Sequence, residues 1–286
     1  MTLQIVEAIL GQLETEGNPS RIDPAIPRAR LESRQQAGQP LNANEIDRGL
    51  LLADDLPGVT ASATLRPGRQ QGETDLVLKL TDEPWFFGDA SLDNAGARAT
   101  GRERLNAALA LASPLRLGDL LATNLLHSEG TDYVRLAYSL PAGNDGWRFG
   151  MNASYLEYRL VAPEFRALDS HGASRTLGLE ANYPLLRSRM KNLFLGIAYD
   201  NKTFKNSSNR TTASDYAVDN INLSLTGNLF DSLGGGGANG ANLTVTRGRV
   251  DLDGSPNQAA DAVTTRTHGD FTRLRYGLCL QHLLTA

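Results

Sequence analysis

From about Trp85 onward, apolar and polar residues alternate in one short segment after another. In Asn220-Ile221-Asn222-Leu223-Ser224-Leu225-Thr226, the Ile and both Leu fall on one face and the Asn, Ser and Thr on the other. A period of two marks a strand with unlike faces. The pattern predicts about ten strands, over 85–94, 103–113, 119–128, 132–140, 147–160, 174–183, 192–204, 216–230, 241–252 and 271–284. On 132–140, Val134, Leu136, Tyr138 and Leu140 oppose Arg135, Ala137 and Ser139. On 147–160, Trp147, Phe149, Met151 and Tyr155 oppose Arg148, Asn152 and Ser154. A water-soluble sandwich would bury the apolar face, whereas a membrane barrel turns it to lipid and keeps the polar face around a wet lumen.

The connections favour the barrel. Those at 115–118, 141–146 and 233–240 read as short or glycine-rich turns. Those at 161–173, 205–215 and 253–270 read as longer polar loops, and the two kinds alternate. Outer-membrane barrels pair short periplasmic turns with long external loops in this way. The polar positions Arg135, Arg148, Asn152, Glu180, Asn182, Asn220, Asn222 and Ser224 are then the candidate lumen lining. On a soluble sheet the same positions would face solvent.

Residues 1–83 read differently. A strand is expected at 3–10, a helix at 27–37, a second helix at 45–53, and strands at 60–65 and 74–80. Asn42 stands three residues before Glu45, the spacing of a helix-starting capping box. The order β-α-α-β-β makes an α+β domain of a size that can fold on its own.

Composition narrows the function classes. Charged residues are 21% and hydrophobic residues 41% of 286 residues, a soluble-looking profile that membrane barrels share. No apolar run is long enough for a transmembrane helix. A net charge of -4 gives no basic face for nucleic acid. The single Cys279 excludes an intrachain disulfide and a cysteine metal cluster. Gly234-Gly235-Gly236-Gly237 lacks the Gly-Lys-Ser/Thr ending of a phosphate loop. Asp251-Leu252-Asp253-Gly254 lacks the later ligands of a calcium loop. His127 and Ser128 are strand neighbours and point to opposite faces, so they make no catalytic pair. No enzyme activity and no cofactor are expected.

Several phrases occur in order: Asp55-Leu56-Pro57-Gly58-Val59, Leu65-Arg66-Pro67-Gly68, Gly72-Glu73-Thr74-Asp75-Leu76-Val77-Leu78, Leu92-Asp93-Asn94-Ala95-Gly96, Thr100-Gly101, Pro114-Leu115-Arg116-Leu117-Gly118-Asp119, Tyr138-Ser139-Leu140-Pro141 and Tyr183-Pro184-Leu185-Leu186-Arg187-Ser188. Together they resemble the haemolysin-activator and filamentous-haemagglutinin transporters of two-partner secretion, in the Omp85 superfamily. The resemblance implies a periplasmic POTRA module at 1–83 and, at 84–286, the N-terminal part of an antiparallel transmembrane β-barrel with about ten of sixteen strands. It also implies a large unfolded exoprotein as partner, taken up in the periplasm and exported without ATP by a monomer seated in outer-membrane lipid of a Gram-negative bacterium.

A signal peptide, a plug helix, a first POTRA domain and a Val-Arg-Gly-Tyr-type loop motif belong to the family pattern and are not found here, so the chain reads as a fragment of a transporter. Thr60, Ala61, Ser62, Ala63, Thr64 and Leu65 are the candidate edge for binding polypeptide, because strand addition tolerates varied side chains. The alternatives are an Omp85-type factor that assembles other barrels, and a non-functional truncated barrel whose open edges leave backbone groups unsatisfied in hydrocarbon.

Overall fold

The computed structural model describes residues 8–232 and 235–283. Its first unit contains β1 (Ile9–Glu16), α1 (Ala25–Glu32), α2 (Ala43–Asp54), β2 (Val59–Pro67) and β3 (Glu73–Asp82). β3 is the middle strand, parallel to β1 and antiparallel to β2, which leaves β1 and β2 as edges. Leu10, Ile22, Leu31, Leu56, Val59, Leu76 and Leu78 pack into a core from which water is excluded. Asn42 caps α2, its Oδ1 accepting from the backbone of Asn44 at 3.0 Å and Glu45 at 3.4 Å. The reciprocal arm of the capping box is replaced, because the Asn42 N–H donates to Gln35 Oε1 at 2.9 Å.

Two boundaries in this unit differ from the sequence reading. The expected strand at 3–10 falls mostly outside the described residues, and the strand that forms is Ile9–Glu16. Its register against β3 shifts between Leu10 and Leu13, and that irregularity breaks the alternation by which a strand is recognised. The first helix ends at Glu32, short of the expected 37. Gln35 is instead buried as a bridge, its Nε2 donating to the Pro40 carbonyl at 3.0 Å.

The second sheet has ten antiparallel strands in unbroken sequence order: β4 (Phe86–Asp93), β5 (Arg104–Ala112), β6 (Leu120–Ser128), β7 (Thr131–Ala142), β8 (Trp147–Arg159), β9 (His171–Arg187), β10 (Lys191–Ser208), β11 (Thr211–Asp231), β12 (Gly237–Asp251) and β13 (Gly269–His282). The sheet is not closed, and β4 and β13 are its edges. Each strand lies on one of the expected alternating segments. Register keeps like with like: Phe149, Ala181, Ile197, Leu223, Val245 and Leu274 form one row across six strands. That row is open, with Phe149 50% and Leu274 60% exposed. On the other face Asn220 and Thr246 are only 7% and 4% exposed. At these mid-sheet positions the polar face is shielded and the apolar one presented.

Three connections depart from expectation. Residues 205–215 were expected as a long loop, but β10 and β11 run through them to a two-residue turn at Asn209 and Arg210, both with positive φ. Phe204 stacks on Tyr216 at 4.9 Å inside this hairpin. Residues 237–240, expected in a turn, are the first residues of β12 and pair with β11. β9 starts at His171, within the expected 161–173 loop. That shorter loop holds a 3₁₀ turn at Pro163–Leu168, and the 252–268 loop holds a short helix, α3 (Gln258–Val263). Within α3, Asp261 accepts from Thr265 Oγ1 at 2.6 Å, Thr267 Oγ1 at 2.5 Å and the Thr267 N–H at 2.9 Å. These bonds hold its carboxyl well below the usual range.

Candidate functional site

The eight candidate lumen residues stand on one face of the ten-stranded sheet. Arg148 lies opposite Asn182, Asn182 opposite Gly196, and Gly196 opposite Ser224. Asn152, Glu180, Asn220 and Asn222 fall on the same side by alternation, and Arg135 joins through its pairing with Ser154. Hydrogen bonds tie part of the face together. Asn222 Nδ2 donates to Asn220 Oδ1 at 2.8 Å, and Thr246 Oγ1 donates to Asn222 Oδ1 at 2.7 Å. Lys202 pairs with Asp200 at 3.6 Å. Glu180 and Asn182 are exposed, while the other six are half-buried or buried. Gly150 and Gly178 let the longer side chains lie flat: a Cβ on Gly150 would sit 2.8 Å from Glu180, and one on Gly178 2.6 Å from Asn152 Nδ2.

The α+β unit is docked on one end of this sheet. In an antiparallel sheet every second connection lies at the same end, and the unit touches three such connections in succession. At the β5–β6 turn, the Asp23 N–H donates to the Arg116 carbonyl at 3.0 Å. At the β7–β8 turn, Arg34 pairs with Asp145 at 2.6 Å. At the β9–β10 turn, Arg187 grips Asp55 with two bonds of 2.8 and 2.6 Å, Arg189 pairs with Asp47 at 2.9 Å, and Arg48 donates to the Pro184 carbonyl at 2.7 Å. Close packing completes the contact. Gly118 has φ +73°, and a Cβ there would lie 2.5 Å from Leu56 and 3.3 Å from Ile22. Buried Asp119 braces the same turn, accepting from the Leu117 N–H at 3.2 Å and the Tyr138 hydroxyl at 3.0 Å.

A cavity of about 280 Å³ lies in this junction, lined by Arg30, Leu52, Asp55, Arg148, Asn182 and Tyr183 among others. Arg30 is 3% exposed; its Nη1 donates to the Leu52 carbonyl at 2.5 Å and its Nε has no partner. Burial, with the Arg148 charge beside it, pulls the Arg30 guanidinium down to about 10, against the pull of Asp55. Arg30 is still charged at neutral pH.

None of the sequence expectations named these junction contacts. The signal was nonetheless present, because four of the ordered phrases converge here: Asp55 and Leu56, Gly118 and Asp119, Tyr138, and Pro184 and Arg187.

The candidate polypeptide edge, Thr60 to Leu65, is the body of β2, whose far side pairs with no other strand among the described residues. Thr60, Ser62, Thr64 and Leu65 are exposed, Ala63 is half-buried, and Ala61 points into the core. Elsewhere the polar clusters are occupied locally. Ser128 Oγ donates to the Thr100 carbonyl at 2.8 Å, while His127 faces Asp132 at 2.7 Å. Asp251, Asp253 and His268 bring ligand-type atoms within 4.8 Å of one another. His268 Nδ1 accepts the Leu252 N–H at 3.1 Å, so the ring proton sits on Nε2, the nitrogen that faces Asp253 at 3.9 Å. That tautomer leaves no ring lone pair facing the two carboxylates, as a metal ligand would need.

With this geometry in place, the comparisons are specific. The family described as haemolysin secretion/activation protein ShlB/FhaC/HecB matches residues 72–285. The heme/hemopexin transporter protein HuxB of Haemophilus influenzae is 35% identical over 147 residues, 51% of this chain and 26% of the relative. The hemolysin transporter protein HpmB of Proteus mirabilis is 30% identical over 179 residues, 59% of this chain and 31% of the relative. The chain thus spans about a quarter to a third of the length of these relatives. The solved structure of CdiB from Escherichia coli superposes with a TM-score of 0.68 at 20% identity, over 85% of this chain and 45% of that one, so the fold is shared. An open ten-stranded sheet with its apolar face outward is, on these matches, a wall of an outer-membrane barrel. The chain belongs to the haemolysin secretion/activation ShlB/FhaC/HecB family.

Proposed function

We propose that the chain provides the periplasmic module and a stretch of barrel wall of a transporter that moves an unfolded exoprotein across the outer membrane. The α+β unit is read as a POTRA-like domain in the periplasm. β2 receives the exoprotein by strand addition, and the polar face of the ten-stranded sheet is the wall along which it passes. The observation that carries this reading is a ten-stranded sheet with one exposed apolar face and one polar face, the latter shielded at mid-sheet positions such as Asn220 and Thr246, docked at one end on a unit whose β2 is an edge strand among the described residues. Main-chain hydrogen bonds at β2 hold an extended chain without demanding a fixed sequence. Small and polar residues on the wall let it slide. The transporter acts as a monomer in lipid, without enzymatic chemistry, and folding of the cargo outside supplies the direction.

The test uses a photo-crosslinking residue at Ser62, in cells that co-express the protein with a candidate large secreted exoprotein. Capture of that exoprotein during export, with no capture from an equivalent residue at Thr74 on the middle strand, is the expected result. If cells lacking the protein export the exoprotein normally but assemble other barrels poorly, the assembly-factor reading replaces this one.

A further inference from the structure

The junction cavity carries more positive charge than its own carboxylates answer. Asp55 lines it, but both Asp55 oxygens are taken by Arg187. Arg30 and Arg148 line it too, and among the described residues neither has a carboxylate within 4 Å. Arg148 donates only to neutral oxygens, Ser139 Oγ at 3.2 Å and the Gly118 carbonyl at 3.1 Å. Arg30 donates only to a carbonyl, and its buried Nε–H is left without an acceptor. A buried donor of this kind costs free energy until an acceptor arrives, and a charged acceptor is the strongest available. The space of about 280 Å³ suits one amino-acid side chain better than a folded partner. Its walls are half apolar, with Leu52, Trp147, Tyr183 and Phe194 beside the arginines.

We propose that this cavity is a binding site for a carboxylate side chain of an extended polypeptide, held between Arg30 and Arg148 as the chain passes from the α+β unit to the polar face of the sheet. The position supports a polypeptide over a lipid headgroup, because the two arginines that would hold the ligand come from the α+β unit and from the polar face of the sheet, where Arg148 pairs with Asn182. The inference deepens the proposed transport role and rests on it for the identity of the ligand. Binding itself is measured separately from export.

The experiment uses the full chain in detergent, with Trp85→Phe so that Trp147 in the cavity wall is the only tryptophan. A short blocked peptide with one central glutamate is titrated against its glutamine twin. The glutamate peptide should change Trp147 emission saturably, and the glutamine peptide should bind about tenfold more weakly or worse. Arg148→Gln should abolish that preference. Arg30→Lys, which keeps the charge but loses the fork, should weaken glutamate binding while leaving the folded far-ultraviolet signal unchanged. Equal binding of both peptides overturns the proposal, as does a preference that survives Arg148→Gln. So does displacement of the glutamate peptide by millimolar glycerol phosphate, which would assign the cavity to a lipid headgroup. If export fails the crosslinking test while glutamate binding persists, the site stands and the transport reading falls.

Discussion

The two sheets are built from the same kinds of side chain and obey opposite rules. In the three-stranded sheet, Leu76 and Leu78 are sealed from solvent and the neighbouring Lys79 is open. In the ten-stranded sheet, Leu223 and Leu225 are open while Asn220, on the same strand, is buried. What differs is the medium. In water, an exposed Leu forfeits roughly 1.5–3 kcal/mol, so a wall of them would not persist. Against hydrocarbon the same side chains lose nothing, and the unsatisfied polar groups must be turned away. The contrast locates the change of solvent along the chain, between the end of β3 at Asp82 and the start of β4 at Phe86.

The contrast is open to direct attack. The largest effect is expected from truncating the buried core of the first unit. Leu78→Ala should cost that unit about 2–5 kcal/mol, measured as protease sensitivity of its β1–β3 region. Next comes the apolar face. Leu223→Arg should cost about 2–4 kcal/mol if the residue sits near mid-membrane, while Ser224→Arg, one position on, should be tolerated. Heat-modifiable mobility of membrane fractions reads both, and equal damage from the two would erase the distinction between faces. The docking ion pair should matter less. Arg187 and Asp55 are partly open, so Asp55→Arg should loosen the contact by about 1 kcal/mol or less, and adding Arg187→Asp should restore it. A crosslink between the two units, gained or lost with those changes, is the measurement.

The smallest effect concerns acid. Burial pushes the Asp82 carboxyl up, but bonds from the Ser20 N–H and hydroxyl and the Arg21 N–H outweigh it and leave it below the usual carboxylate range. A depressed folded-state value means that its stabilisation is full above about pH 4, the unfolded value, and is lost as pH falls through the folded one. Asp82→Asn should therefore flatten the acid limb of unfolding for the first unit and leave the membrane sheet unaffected.

Much of this was legible in the residues. All ten strands of the large sheet were visible because each has a stretch with one apolar face, so a period of two has contrast there. The hairpin through residues 205–215 was hidden for the same reason. Lys205, Asn206, Ser207 and Ser208 offer no contrast between faces, and a two-sided polar strand reads as loop. The continuation of β1 past Leu10 to Glu16 was not legible, because its register irregularity at Leu10 to Leu13 interrupts the alternation. The junction was the least visible part. Asp55 and Arg187 are 132 positions apart, and nothing periodic links them. Only the order of short phrases hinted that such distant residues meet.

The tall hairpin of β10 and β11 has a consequence that follows from the proposed orientation. A membrane crossing takes about 9–11 residues of strand, and β11 has 21. Its apolar row gives out at Tyr199 and Ile221, and the next row is Asn201 and Asp219. The remainder stands outside the bilayer as a stiff, paired ribbon ending at Asn209 and Arg210. With the α+β unit in the periplasm, as proposed, an antibody or phage approaching the cell would meet that ribbon before any other part of the hairpin. An epitope tag at its tip should label intact bacteria.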